Sequence, residues 1–346
     1  MTIGLHTAEL NFELIKEIGQ EGRNSQVYTA HDKQLDKEIA VKKIEKKSML
    51  HEDEYYEESK KLSTSYHSNI VNVMYGCSDA DHIYIAMPFY KKGSLKSLIN
   101  KRFLTVRESI RYSIQFLSGL HHIHSKGLIH CDIKPDNILL SDSDEALLSD
   151  FGLAKLMNEY GQISQDRFYP KHVPPEALTS DDKTVQYDIY LSGLTIYRLL
   201  NGNEHFNKQL EKFQEWDDYR EAIITGSFPD RSSYLPHIPK KVQKIINKAL
   251  SVNTEDRHRD VLELINELST VEKAIDWAYE PSNSTHKWTK SIDETVTDVV
   301  VSPDESGLYS ITTTKSKGTS LPRKVKVHCH TRLSDFNSEL KGVLES

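Results

Sequence analysis

Residues 128–140 read LIHCDIKPDNILL. Between two apolar runs stand an aspartate (Asp132), a lysine two positions on (Lys134) and an asparagine five positions on (Asn137). Hard oxygen ligands of the Asp and Asn type suit Mg²⁺, which takes one or two from protein and shares the rest with phosphate and water. Eighteen residues beyond Asp132, the stretch SDFGLAK adds Asp150, Phe151 and Gly152. Upstream, IAVKKI places Lys42 in a strand pattern. A lysine on a strand is held still, and nucleotide phosphates require a fixed cation. Each signal alone is weak: most strand lysines are solvated surface groups, and an Asp-Phe-Gly triplet arises by chance. Asp132, Lys134, Asn137 and Asp150 in this frame, with Lys42 upstream, are a different matter. The odd letter is Cys131, directly before the acid.

The elements that must hold these residues fall into three blocks. FELIKEIG, SQVYTAHD and KEIAVKKI alternate apolar and polar residues as half-buried strands do. HEDEYYEESKKLSTSY switches to helical spacing, and NIVNVMYGCS and HIYIAMPFY return to strands. From GSLKSLIN onward helices dominate. TVRESIRYSIQFLSGLHHIHSKG opens on Thr105 with Glu108 three residues later, a capping box, and ends at Gly127. YDIYLSGLTIYRLLNG is nearly all apolar, which predicts a buried helix closed by Gly202. KKVQKIINKALS and RDVLELINELSTVEKAIDWAY complete the helical block. PSNSTHKW is polar and proline-containing, a predicted linker. ETVTDVVV, LYSITTTK and RKVKVHCHTRL then predict three strands, and SDFNSELKGVLES a short helix with Ser334 at its N-cap. The expected map is an α+β chain: residues 1–272 as one domain with a small lobe at 12–90 and a helical lobe at 91–272, a helix end and linker at 273–286, and an α+β module at 287–346.

At 346 residues the chain exceeds what one core usually supports. Its net charge of −7 argues against a protein that coats nucleic acid. Cys77, Cys131 and Cys329 lie far apart without a paired motif, which suits a reducing compartment. The N-terminus carries neither a secretory pattern nor, with Thr2, a myristoylation pattern, and IYIAMPFY is too short to span a membrane. The expectation is a soluble, cytoplasmic protein without membrane attachment.

Taken in order, these motifs resemble the eukaryotic-like (Hanks-type) serine/threonine protein kinases over residues 12–270. The resemblance implies a two-lobed kinase fold and ATP- and Mg²⁺-dependent transfer to protein. It implies that Lys42 anchors the phosphates, paired with a helix glutamate nine residues before His67, which is Glu58, with Glu57 as the rival. Asp132 would accept or orient the proton of the substrate hydroxyl, Lys134 would steady the transferred phosphoryl group, and Asn137 and Asp150 would bind the metal. Gly22 would belong to the phosphate-covering loop. Val27, Ala40 and Leu139 would sandwich the adenine, with Met87 at the back of the pocket and Phe89 at the hinge. Glu176 of VPPEAL and Arg257 of TEDRHRD would form a buried ion pair, and Asp188 would brace the backbone of the catalytic loop.

The sequence departs from the family in three places. The Gly-rich loop keeps only Gly22 in frame, with Gln20 and Ser25 at the other two positions and Gly19 one place early. Cys131 replaces the Arg that in many members pairs with an activation-segment phosphate, which implies little dependence on such phosphorylation. A redox switch at Cys131 competes with a plain buried residue. Tyr169 stands where serine/threonine kinases usually carry Thr, a site that helps choose the acceptor. Lys134 favours Ser/Thr, KHVPPE leans towards tyrosine or dual specificity, and Tyr160, Ser164 and Tyr169 are candidate modification sites.

In RKVKVHCHTRL, alternation places Lys324, Lys326, His328, His330 and Arg332 on one face, with Val325, Val327 and Cys329 towards the core. No acid occurs from 306 to 334, so this face suits an anionic or protein partner, an exposed edge guarded by lysines being the plainer reading. His121, His122 and His124 end a helix, where cations are favoured without any ligand. The expected function is a serine/threonine protein kinase that also autophosphorylates. A nucleotide-binding pseudokinase scaffold signalling through its C-terminal module, or a tyrosine or dual-specificity kinase, remains the alternative. The oligomeric state is not legible.

Overall fold

A computed structural model describes residues 10–20, 25–48, 66–165, 168–282, 285–303, 308–318, 320–331 and 333–345. Gly22, Glu57 and Glu58 lie outside them, and so does the charged stretch after Ser48 in which the sequence reading expects a helix.

The small lobe is a five-stranded antiparallel sheet of β1 (Phe12–Gln20), β2 (Ser25–Asp32), β3 (Lys37–Glu45), β4 (Tyr75–Ser78) and β5 (His82–Pro88), in the order β1-β2-β3-β5-β4. Alternation in β3 decides its two faces. Ile39 and Val41 pack with Ala30 and Ala86 on one side. Ala40 and Lys42 face the other way, Ala40 registered opposite Met87 and Lys42 opposite Val27. Cross-strand partners share a face, so Val27, Ala40, Met87 and Lys42 form one surface.

The larger lobe is built on α1 (Leu95–Ile99), α2 (Val106–Ser125), α3 (Val185–Asn201), α4 (Asn203–Leu210), α5 (Trp216–Ile224), α6 (Lys240–Ala249) and α7 (Val261–Ser269). The Thr105 hydroxyl accepts from Glu108 N while the Glu108 carboxylate accepts from Thr105 N, which completes the capping box of α2. α3 is buried almost throughout and stops at Gly202, whose φ of 80° suits glycine. A Cβ on Gly119 would meet Asn69 O at 2.5 Å, so only glycine lets α2 approach the turn at 67–70. Short strands follow in β6 (Leu128–Ile129), β7 (Ile138–Leu140), β8 (Ala146–Leu148), β9 (Lys155–Leu156), β10 (Ile163–Ser164) and β11 (Asp182–Lys183). The turn at 67–70 is tied to β8 by Leu148 N→Asn69 O and Val71 N→Leu148 O.

The C-terminal region differs from the sequence reading. α7 ends at Ser269, the stretch expected as helix end and linker contains the strand β12 (Ala278–Pro281), and β13 (His286–Ile292) begins at its last residue. With β14 (Thr295–Pro303), β15 (Tyr309–Lys317) and β16 (Arg323–Thr331) they form a five-stranded antiparallel meander followed by helix α8 (Leu333–Glu345). Trp277, Trp288, Val299, Val301 and Ile311 pack with Leu340 and Leu344 of that helix, and Trp277 Nε1 donates to Leu344 O. The module is also fastened to the helical lobe. Trp288 Nε1 donates to His237 Nδ1, Phe103 meets the Tyr279 ring edge to face at 4.9 Å, and Arg107 N donates to Ile275 O.

The side chains of Lys324, Lys326, His328, His330 and Arg332 in β16 lie outside the described residues, but the backbone register of that strand departs from strict alternation. Its pairing with β15 shifts between Thr313 and Thr314, so Lys326 is registered with Thr313 and Lys324 with Thr314. Strict alternation does not hold across such a shift, and Val325, expected towards the core, is exposed. His328 is registered with Ile311, a core residue. Among the described residues no helix is long and apolar enough to cross a membrane.

Candidate active site

The loop carrying Asp132 starts from β6 (Leu128–Ile129) and ends in β7 (Ile138–Leu140). Its backbone is turned by Cys131, whose φ of 67° is uncommon for a non-glycine residue. One buried carboxylate holds that conformation. Asp188, in the first turn of α3, accepts from His130 N at 2.7 Å and from Cys131 N at 2.8 Å. His124 Nε2 lies 2.8 Å from the same carboxylate. His124 therefore joins the catalytic-loop brace, a role that the helix-terminus account of this histidine did not contain.

Asp132 is buried, and its Oδ2 accepts from Lys134 Nζ and Asn137 Nδ2, both at 2.8 Å. Burial pushes the Asp132 carboxyl above the usual aspartate range, Lys134 opposes that shift, and Asp150 adds to it. Asn137 Nδ2 also donates to Asp132 O. These two acceptors fix the amide orientation, and they leave Asn137 Oδ1 buried without a hydrogen-bond partner. A buried oxygen in that state is costly unless a cation or another donor meets it. The donor set around it therefore fits a hard divalent cation.

Lys42 crosses from the small lobe to meet Asp150. Its Nζ donates to Asp150 Oδ1 at 2.7 Å, and both side chains are largely buried. Asp150 has a φ of 59°, and its Oδ1 also accepts from Gly152 N. Phe151 is fully buried and meets the His130 ring edge to face at 4.9 Å. His130 Nε2 in turn lies 3.0 Å from Ser149 O, so the Asp150 segment and the Asp132 loop are packed as one unit.

Above this cluster lies the surface of Val27, Ala40 and Met87, and Phe89 directly follows β5. Leu139 approaches from β7, bridged to Ser94.

Below it, Arg257 and Glu176 form a bidentate pair at 2.7 and 2.8 Å. Arg257 also donates to Ser251 O and Gln186 O, and its guanidinium lies over the Tyr190 ring. The pair fastens the PPE turn to the end of the lobe. Cys131 is buried, and burial followed by the charge of Asp188 pushes its thiol well above its usual pKa. Such a thiol is a poor nucleophile. On the activation segment, Lys134 Nζ lies 4.6 Å from the centroid of the Tyr169 ring. Sequence reasoning had no signal for that contact, which joins residues from separate segments.

Comparison with known proteins agrees with this geometry. Residues 12–267 match the Protein kinase domain family. Among curated proteins, the chain is 26% identical over 304 residues to the serine/threonine-protein kinase PknD of Protochlamydia amoebophila, covering 77% of this chain and 30% of that protein. It is 28% identical over 272 residues to the probable serine/threonine-protein kinase PknB of Lactococcus lactis, covering 75% of this chain and 42% of that protein. The PknD of Chlamydia trachomatis serovar D is 29% identical over 299 residues, covering 73% of this chain and 30% of its own length. The chain thus spans less than half the length of these relatives.

Proposed function

This chain belongs to the protein kinase family, and from that premise we propose that it transfers the γ-phosphate of ATP to serine or threonine of protein substrates. The observation that carries this reading is the convergence of two bonded groups, Lys42 with Asp150 at 2.7 Å and Asp132 with Lys134 and Asn137 at 2.8 Å, tied together where Ser149 N donates to Asn137 O at 2.9 Å. A scaffold that had given up chemistry would have no need of all five.

In this reading Lys42 holds the nucleotide phosphates and Asp150 fixes the position of Lys42. Asn137, through its unpartnered Oδ1, and Asp150 would hold Mg²⁺, which would supply positive charge against that developing on the phosphates. Asp132, oriented by Lys134 and Asn137, accepts or orients the proton of the incoming hydroxyl. Lys134 steadies the charge of the transferred group. Glu58 and Gly22, outside the described residues, keep their proposed parts as partner of Lys42 and as phosphate-covering backbone. Catalysis rests on positioning and electrostatics, with no covalent intermediate. Cys131, which offers no cation for a phosphate on the activation segment, supports activity that does not wait on such phosphorylation.

The test is incubation of purified protein with radiolabelled ATP and Mg²⁺, followed by phosphoamino-acid analysis. Label on serine or threonine supports the reading, and label on tyrosine replaces the acceptor assignment. ATP-dependent thermal stabilisation without any label on itself or on added protein supports the scaffold alternative instead.

A further inference from the structure

We propose that Tyr169 is a positioning residue for phosphoryl transfer, its ring face holding the Lys134 ammonium beside Asp132; the proposal rests on the kinase reading above. The same nitrogen lies 2.8 Å from Asp132 Oδ2 and 4.6 Å from the centroid of the Tyr169 ring. It is held between a carboxylate and a π-face, a geometry in which a lysine is attracted by the ring quadrupole.

The backbone dictates where that ring sits. His172 N donates to Tyr169 O at 2.8 Å, and the two residues form an isolated antiparallel bridge, which closes the turn Tyr169–His172. The turn is fastened from below. His172 is buried, and Arg198 Nη1 donates to its Nε2 at 2.7 Å. Arg198, itself buried on α3, donates again to Asn203 Oδ1 at 2.6 Å and lies over the Phe206 ring. Arginine stays charged, so His172 must accept, and burial with the Arg198 charge holds the imidazole well below its usual pKa. The turn therefore keeps one protonation state, and its ring keeps one place.

The chemistry favours a ring at this position. A lysine side chain has four rotatable bonds and loses considerable freedom when fixed. A hydroxyl would restrain it by one directional hydrogen bond. A π-face restrains the charge over an area without taking up an N–H as an acceptor oxygen would. Being neutral, the ring also leaves the positive charge of Lys134 uncancelled, which a carboxylate in its place would not.

The test compares the parent with Tyr169→Phe, which keeps the ring, and Tyr169→Leu, which keeps bulk without a quadrupole. Phosphate transfer is measured over a range of ATP concentrations. In parallel, the rate at which acetic anhydride modifies Lys134 is followed by peptide mapping. The expected result is a kcat about tenfold lower in Tyr169→Leu with KM for ATP unchanged, the scale of a desolvated cation–π contact, with faster modification of Lys134. Tyr169→Phe should match the parent in both. A Tyr169→Leu protein that transfers and is modified at the parent rate overturns the proposal, as does equal loss in both variants. A parent that transfers no phosphate brings down the kinase reading, and the proposal with it. Activity in the parent with no effect of Tyr169→Leu brings down the proposal alone.

Discussion

The Lys42 ammonium stands 2.7 Å from the Asp150 carboxylate, joining residues 108 positions apart across the two lobes. Both side chains are largely removed from water, where the attraction is stronger than at a surface. Replacing Lys42 by Met is expected to lower phosphate transfer by about 10²–10³-fold, the scale for loss of a fixed electrostatic stabiliser. ATP-induced thermal stabilisation should shrink with it, and a circular-dichroism spectrum equal to the parent's would show that the fold is intact.

Arg257→Ala leaves the Glu176 carboxylate without its bidentate partner. Removing one member of a buried pair typically costs about 3–5 kcal/mol. Urea denaturation followed by fluorescence is expected to show a loss of that order. A loss below about 1 kcal/mol, the scale of an exposed pair, would mean that the bridge contributes little.

Cys131→Ser is expected to transfer phosphate within about tenfold of the parent, since the backbone N–H that Asp188 holds is unchanged. The buried, high-pKa thiol should also resist a thiol reagent until the protein is unfolded. Rapid labelling of Cys131 in native protein, with loss of activity, would revive a redox role.

His237 accepts from Trp288 at the junction between lobe and module, and burial lowers its pKa from 6.5 to about 4. Its folded pKa lies below the unfolded one, so the unfolded chain binds the extra proton between these values. Stability is therefore complete above pH 6.5 and falls as pH drops towards 4. His237→Asn should make that acid loss shallower by about one proton in denaturation series run across this range. An unchanged slope would show that His237 titrates normally.

The chemistry of this chain was readable before its shape. Asp132, Lys134 and Asn137 lie within six residues, and their mutual bonds are local, so spacing carried their geometry. The capping box of α2 and the glycine after α3 were legible for the same reason. Contacts between distant segments were not. His124 on Asp188 spans 64 positions, and the helix dipole already accounted for a histidine there. β12 was hidden because four residues are too few to show a period of two, and Trp277 and Tyr279 read equally well as the end of a helix. Val325 was expected to face the core and is exposed, because strict alternation fails at a register shift, which composition does not announce.

The most direct test of the central claim compares phosphate transfer and ATP binding in the parent and in Asp132→Asn. Asparagine keeps the shape of the side chain and removes the charge that would receive the proton. With Asp132 as the residue that prepares the acceptor hydroxyl, transfer is expected to fall by about 10²–10⁴-fold while ATP still stabilises the folded protein. A variant that phosphorylates as fast as the parent would contradict the account.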